Sequence, residues 1–559
     1  MFSDPVVGDD FFGRQEIVDL LVKRASALKS GYRQNVAIIG HQQLGKTSVL
    51  RQFLHVFRDP QILPIYVEIK FQALDYFIDQ FVRSLLYQYL SRLEPAKPTD
   101  SLPELAAKAE PLIPRTAQRI AEIASLLKQR HAEEAYVRLF ELTQILKEET
   151  GMNTIVILDE FHRLGEFGIR NAFSDFGKRI MVQKDTMYVL SSSSFSQSKK
   201  ILAEKLHLLF GHFERVYLEA FDFETSFRFI QQKMKPVVVP AAIQSFIVSL
   251  TDGHPFQLEN LVSRLREICL AKNETEAGRS SAAEACVKLF YESQGVLNQY
   301  FSKLISPWTQ SASRGSHVLI LTQIASGRNR LKDIAQSINR GLRETSSQIE
   351  QLIENELVIK NGVFYRMHNK TFRFWLKEVY QRKELSLLGT SAKSESFSQR
   401  LLDLIEEEQE LLGSDISMRL VGLLGEFRND IVEIGEKKRK LPHFSEFLRS
   451  SAGQSLEPAG VDDEPARSII ARGHGRCWVC KVTEEQATEQ DVLDLVQSSA
   501  DRKTVHTKVL LALKGLNDNA KLLAKEKRVL ALGLSRINLL MDLYGRPPII
   551  RQNHPSITP

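Results

Sequence analysis

Two short stretches carry side chains whose types and spacing could do chemistry. The first is Gly40-His41-Gln42-Gln43-Leu44-Gly45-Lys46-Thr47-Ser48, with the apolar Val36-Ala-Ile-Ile39 before it and Val49-Leu50 after it. A strand, a G-x-x-x-x-G-K-T loop and a helix start, in that order, make the P-loop pattern. Glycines let such a loop wrap closely around a phosphate chain. Its N–H groups and the positive end of the helix dipole then face the anion. Lys46 can reach the β- and γ-phosphates, and the Thr47 hydroxyl can ligate Mg²⁺. The second stretch is Ile155-Val-Ile-Leu158-Asp159-Glu160, an apolar run ending in two carboxylates, the Walker B pattern. A continuous apolar run suits a strand buried on both faces of a parallel sheet. The carboxyl end of such a strand is where α/β sheets bind nucleotides. Asp159 is expected to hold Mg²⁺, and Glu160 to orient or deprotonate an attacking water. ATP and Mg²⁺ are therefore the expected cofactors, ADP the product, and Lys46 and Glu160 the catalytic pair.

Further apolar runs supply the elements that must position these groups. Leu63–Ile69, Thr186–Leu190 and Phe213–Leu218 read as three more strands. The fourth strand ends in Ser191-Ser-Ser-Ser194, so Ser191 or Ser192 is expected to sense the γ-phosphate. Arg215 on the fifth strand is the best-placed arginine for contacting that phosphate from within the chain. The Pro-containing interval 94–116 and the helical sequence at 117–148 read as an insertion or lid-like excursion. Helices are expected at 223–235, 240–251, 256–271 and 282–304, with Thr251-Asp-Gly253-His254-Pro255 between two of them. Three short amphipathic helices and a glycine-turned hairpin over 318–367 predict a winged helix-turn-helix. Its arginines and lysines permit DNA contact, while Glu344, Glu350, Glu354 and Glu356 on the presumed recognition helix oppose a phosphate track, so packing of the winged helix against the ATPase core stands as the alternative reading.

The order of motifs resembles the archaeal-type ATPases of the STAND branch of AAA+. Phe12-Gly13-Arg14 ahead of the loop is similar to the family's box bordering the adenine. Gly253-His254-Pro255 is similar to its Gly-x-Pro lid motif, which implies that His254 and Pro255 lie near the nucleotide. The resemblance runs over residues 8–305 and, with the winged helix, to about 380. It implies a switch, closed with ADP and assembling with ATP into a homo-oligomer, and it supplies no clear arginine finger for a neighbouring subunit.

The last third reads helix–strand–strand–helix–strand–helix. This resembles the restriction-endonuclease-like domain at the C-terminus of many such ATPases, whose pattern is Asp followed by Glu-x-Lys on the next strand. Here Ser468 stands at the Asp position. One register puts Lys481 and Thr483 at the Glu and Lys places, and a shift of two puts Val479 at the Glu. Neither leaves two carboxylates for a metal, so an inactive domain is expected. Cys477 and Cys480 form a C-x-x-C, but residues three apart on a strand point to opposite faces and cannot share a metal.

The fold class that follows is an α/β P-loop ATPase core with a parallel sheet, a helical lid, a winged helix-turn-helix and a C-terminal α/β restriction-endonuclease-like domain. The expected bounds are 1–222, 223–305, 315–385 and 395–546, with a tail at 547–559. A net charge of +6 over 559 residues permits nucleic-acid contact without arguing for it. Double-stranded DNA through the winged helix, or a protein, is the expected partner. Four cysteines make no disulfide framework in so long a chain and fit a reducing cytoplasm. The start has no basic, apolar leader pattern, and no apolar run is long enough to span a bilayer, so no membrane association is expected.

Overall fold

The computed structural model describes residues 4–70, 73–93, 101–206, 213–309, 315–385, 390–435, 437–450, 457–458, 468–473, 475–500 and 505–550. They divide into two compact units, one of residues up to Phe221 together with His254–Phe256, the other of Asp222–Gly253 and the chain from Gln257 onward.

The first unit is built on five parallel strands: β1 (Asn35–Ile39), β2 (Ile62–Glu68), β3 (Asn153–Asp159), β4 (Thr186–Ser192) and β5 (Phe213–Tyr217). Their order across the sheet is β2-β3-β4-β1-β5, so β1 lies between strands far from it in sequence. Alternate residues of each strand feed two separate cores, as the period of two requires. Val36, Ile38, Ile155, Ile157, Met187 and Val189 pack with helices α1 (Gln15–Ala27) and α2 (Lys46–Val56). Ala37, Ile39, Val156, Leu158, Tyr188 and Leu190 pack on the other face with the helix Leu74–Leu90. That second core also takes in the stretch read from sequence as an excursion. Helices Leu102–Ala109, Pro114–Lys128, Ala132–Leu139 and Leu142–Thr150 bury Leu105, Ile113, Ile123, Tyr136 and Leu146 in it. Ser101 and Glu104 start the first of these helices with reciprocal backbone hydrogen bonds, a capping box that accounts for a helix inside a proline-containing polar interval. The segment is thus core-forming, and the part of it at 94–100 lies outside the described residues.

The second unit begins with helices Phe223–Met234, Ala241–Thr251 and Pro255–Ala271, the last starting at the Pro255 of the first unit. The single helix expected at 282–304 is interrupted: a helix ends at Tyr291 and the next begins at Val296. Gly295 explains the break. A Cβ there would stand 2.4 Å from the Leu289 carbonyl oxygen, so the chain folds back on itself at that point. Three helices, Gly315–Ala325, Leu331–Ser337 and Leu342–Glu354, then lead into a hairpin of β6 (Val358–Asn361) and β7 (Phe364–Met367).

The remainder holds more strands than the sequence suggested. A second hairpin, β8 (Ile431–Ile434) with β9 (Lys437–Lys440), is followed by a six-stranded sheet. Its strands are β10 (Glu446–Ser450), β11 (Glu457–Pro458), β12 (Ser468–Gly473), β13 (Arg476–Thr483), β14 (Thr507–Ala512) and β15 (Val529–Gly533). β10, β12 and β13 pair antiparallel, and β13, β14 and β15 pair parallel. Cys480 joins the core on one face and Cys477 the core on the other, as their spacing on a strand requires. Burial pushes the Cys480 thiol up to about 12. Ser468 lies opposite Lys481 in the register of β12 and β13, and the Lys481 ammonium sits 3.1 Å from Asp491 and 2.8 Å from Asp494 on the following helix. Among the described residues no group of three or more His, Cys, Asp or Glu could hold a metal ion.

The two hairpins are joined through backbone. Val363 N–H donates to the Ile431 carbonyl at 3.0 Å, and the Asn361 amide both accepts from the Glu433 N–H and donates to its carbonyl, each at 2.9 Å. Gly362, at φ +58, allows this approach, since a Cβ there would fall within 1.8 Å of the Ile431 oxygen. Among the described residues no helix is long and apolar enough to cross a membrane.

Candidate nucleotide site

Strand β1 ends at Ile39 and the loop from Gly40 turns the chain into α2. Gly40 has no room for a side chain: a Cβ would lie 2.6 Å from the Leu218 carbonyl oxygen beyond the end of β5. Gly45 has φ +90, the left-handed conformation that glycine adopts without strain, and Gln43 has φ +59. The Lys46 side chain is buried and its ammonium donates to the His41 carbonyl at 2.7 Å, folding back across the loop. The His41 ring stacks on Phe195, which in turn lies against Tyr217. Leu44 is buried in the core behind the loop, while Ser48 accepts from the Val6 N–H.

Asp159, wholly buried at the carboxyl end of β3, meets this loop directly. Thr47 Oγ1 donates to its Oδ2 at 2.7 Å, and Tyr66 on the neighbouring strand β2 donates to the same oxygen at 3.2 Å. Burial, with Asp159 and Glu68 nearby, raises the Tyr66 phenol above its ordinary range, so it stays a donor. Glu160 follows in a left-handed conformation, φ +60, which turns its side chain out of the strand. Its carboxylate accepts from the Ser193 N–H at 2.9 Å and the Ser193 hydroxyl at 2.7 Å, and lies 3.3 Å from His162 Nδ1. Ser192 Oγ bonds the same His162 nitrogen at 2.8 Å. Ser191, opposite Asp159 in the register of β3 and β4, is buried and its hydroxyl has no partner.

The N-terminal box stands beside this loop. Gly8 N–H donates to Gln52 on α2, tying the segment before the box to the helix. Phe12 packs edge-on against Phe221, and the Arg14 guanidinium lies 4.9 Å over the same ring while donating to the Glu219 carbonyl. Gly13 and Arg14 both have positive φ, a tight turn that places Arg14 at the start of α1. Burial pulls the Arg14 pKa down to about 10. His254 closes the set. It hydrogen-bonds the Gln42 backbone, and burial, with Arg14, Lys46 and His41 nearby, drives its pKa down to about 3. Pro255 follows it as the first residue of the helix Pro255–Ala271. Arg215 sits in the middle of β5 at an exposed position opposite Ala37.

Three buried polar atoms around the loop lack a partner: Ser191 Oγ, Gln43 Oε1 and His254 Nδ1. Buried groups of this kind ordinarily find one. A cluster of them beside a helix N-terminus, a buried lysine and a hydroxyl–carboxylate pair fits a phosphate chain with Mg²⁺. That ion keeps several waters and takes only one or two protein ligands besides phosphate, so Thr47 and Asp159 are a sufficient protein share. Sequence reading missed Tyr66, Ser193, His162 and Phe221. Only Ser193, in the run 191–194, carried a local signal.

Residues 10–170 match the model of the AAA ATPase domain. The chain is a P-loop ATPase, and it binds nucleotide. No curated protein matches it. Among solved structures it is similar to the Walker-type ATPase PABY2304 of Pyrococcus abyssi, with 17% identity over 67% of this chain and 99% of that one, at a TM-score of 0.45. It is also similar to the Aeropyrum pernix ORC2 protein in ADPNP–ADP complexes, with 12% identity over 74% of this chain and 98% of that one, at 0.44. The Aeropyrum pernix ORC1 protein in complex with DNA matches with 14% identity over 68% of this chain and 96% of that one, at 0.35.

Proposed function

We propose that the chain is a nucleotide-driven switch that binds ATP with Mg²⁺, hydrolyses it slowly, and couples its nucleotide state to engagement of a partner by the second unit. The observation that carries this reading is the 2.7 Å bond from Thr47 to Asp159, which joins the loop to the strand bearing the carboxylates. Lys46 neutralises the β- and γ-phosphates, and the loop N–H groups from Gly40 to Ser48 cradle them. Thr47 and Asp159 would hold Mg²⁺, which when bound would neutralise charge on the transferring phosphoryl group. Glu160 takes a proton from the attacking water, and Ser193 and His162 fix where its carboxylate stands. Ser191 senses the γ-phosphate; Phe12, Gly13 and Arg14 border the base; His254 and Pro255 carry the nucleotide state into the helix Pro255–Ala271. The STAND resemblance supports an ADP-held resting form and an ATP-bound form that assembles with further copies.

The three helices and hairpin over 315–367 are read as a winged helix-turn-helix, and a nucleic acid is the partner preferred. The sheet of β10–β15 is read as a nuclease-like domain without its site, since Lys481 is held by Asp491 and Asp494. Sizing with ADP and with a non-hydrolysable ATP analogue tests the switch. Wild type should change mass between the two and Lys46→Ala should not. No mass change in wild type that hydrolyses ATP would refute the assembly step.

A further inference from the structure

Strand β9 is four cations in succession, Lys437-Lys438-Arg439-Lys440. The three lysines are exposed and Arg439 is half-buried opposite Val432. β9 pairs with β8, and the far edge of β8 is taken up by Val363 and by the Asn361 amide. Among the described residues β9 therefore forms the outer edge of this two-hairpin assembly. One further cation lies beside it. The exposed Arg536 places its guanidinium 3.6 Å from where a Cβ on Gly435, at the turn before β9, would stand. The exposed Lys360 on β6 instead lies over the Tyr365 ring of β7, at 5.7 Å. Among the described residues, the nearby carboxylates Glu433 and Asp430 oppose this weakly. Glu433 lies 3.7 Å from Lys438 with both groups well exposed, so the pair is worth little. Asp430 is buried and turned away, onto Arg330 at 3.1 Å and the Tyr544 hydroxyl at 2.8 Å.

A charged edge strand also guards against pairing with another chain. That need is met by one or two lysines on the strand itself. It does not call for Arg536 to stand beside the turn of the hairpin. The aromatic residues beneath, Phe427 and Phe444, are buried in the core, so the surface offers cations without the stacking rings that hold single strands. Lys438 and Lys440 share one face of β9 and, as alternate residues, stand about 6.7 Å apart, close to twice the rise of about 3.4 Å per phosphate along one strand of a duplex.

We propose that β9, with Arg536, is a sequence-independent contact for the phosphate backbone of double-stranded DNA. This rests on reading the partner of the second unit as a nucleic acid, and it names a surface apart from the presumed recognition helix. Each cation that neutralises a phosphate adds about 0.9 to the slope of log affinity against log salt, so removing one weakens binding about 8-fold near 0.1 M salt.

The test uses the full chain with ATP and Mg²⁺ and two duplexes of unrelated sequence, about 30 base pairs each, titrated over a range of salt. The variants are Lys437→Gln/Lys438→Gln/Lys440→Gln and, separately, Arg340→Ala/Arg343→Ala at the presumed recognition helix. The triple variant should fall about 60-fold in affinity near 0.1 M salt on both duplexes and about 1.8 in slope, from Lys438 and Lys440 on their shared face, with circular dichroism, mass and ATP turnover unchanged. Wild-type slope and affinity in the triple variant, while the arginine variant weakens, would overturn the β9 contact and leave the DNA reading standing. Self-association of the triple variant with an unchanged slope would assign the lysines to edge protection instead. A wild type that hydrolyses ATP but binds neither duplex at low salt would overturn both the contact and the nucleic-acid partner.

Discussion

His254 makes the first unit sensitive to acid in a way that can be worked out. Its Nδ1 is enclosed and without a partner, and Arg14, Lys46 and His41 surround it, so its pKa in the folded chain is about 3 against about 6.5 unfolded. Above pH 6.5 the ring is neutral in both states and contributes nothing to pH dependence. Below it the unfolded chain takes up a proton that the folded chain refuses, and stability falls by about 1.4 kcal/mol per pH unit until the folded pKa is reached. Between about pH 7 and pH 5 the loss is about 2 kcal/mol. The outer part of the residue keeps some solvent contact, which makes this an upper figure. Amide hydrogen exchange in β1 and β3, corrected for intrinsic rates, reads the opening free energy of this unit. The difference between wild type and His254→Gln, followed across the same range, isolates the one group. A difference that stays flat to within about 0.5 kcal/mol, or a wild type that gains stability toward acid relative to the variant, would refute the reasoning.

Asp159→Asn should remove Mg²⁺-dependent ATP hydrolysis; its amide oxygen still accepts from Thr47 and Tyr66 while the 3.1 Å bond from the Glu160 N–H is lost, so turnover with added Mg²⁺ is read beside circular dichroism. Ser193→Ala removes one of the two donors that fix Glu160 and should lower kcat about 10-fold with little change in KM for ATP; an unchanged or raised kcat would show that Ser193 does not position the base. Gly40→Ala forces a methyl into the Leu218 carbonyl, at 2.6 Å, and should cost the first unit about 1–3 kcal/mol as well as nucleotide affinity, measured by denaturant unfolding and by titration with ADP.

The site was legible where its chemistry is local in sequence. The P-loop has fixed spacing, and the run before Asp159 has the composition of a strand buried on both faces, so both could be read without the fold. Asp159 and Thr47 are far apart in sequence and touch because β3 lies two strands from β1 with β4 between them. The partners of Glu160 come from the end of β4 and from His162, and only the register Asp159 to Ser191 brings Ser193 within reach. Tyr66 was invisible for the same reason: its phenol matters only because β2 pairs with β3. In the last third, β8, β9 and β15 are short, and β9 is four charges in a row, which hides a strand from any hydrophobic period. The break at Gly295 arises from close backbone approach, which composition does not express.

The division of the chain has an optical and chemical consequence. All four cysteines and all three tryptophans, Trp308, Trp375 and Trp478, lie in the second unit, and Cys269, Cys286, Cys477 and Cys480 are buried there. Intrinsic tryptophan emission and native thiol chemistry are therefore silent about the nucleotide-binding half. A surface cysteine introduced near the loop would report on that half against an almost unreactive thiol background, and thiol reactivity appearing without it would mark the opening of the second unit alone.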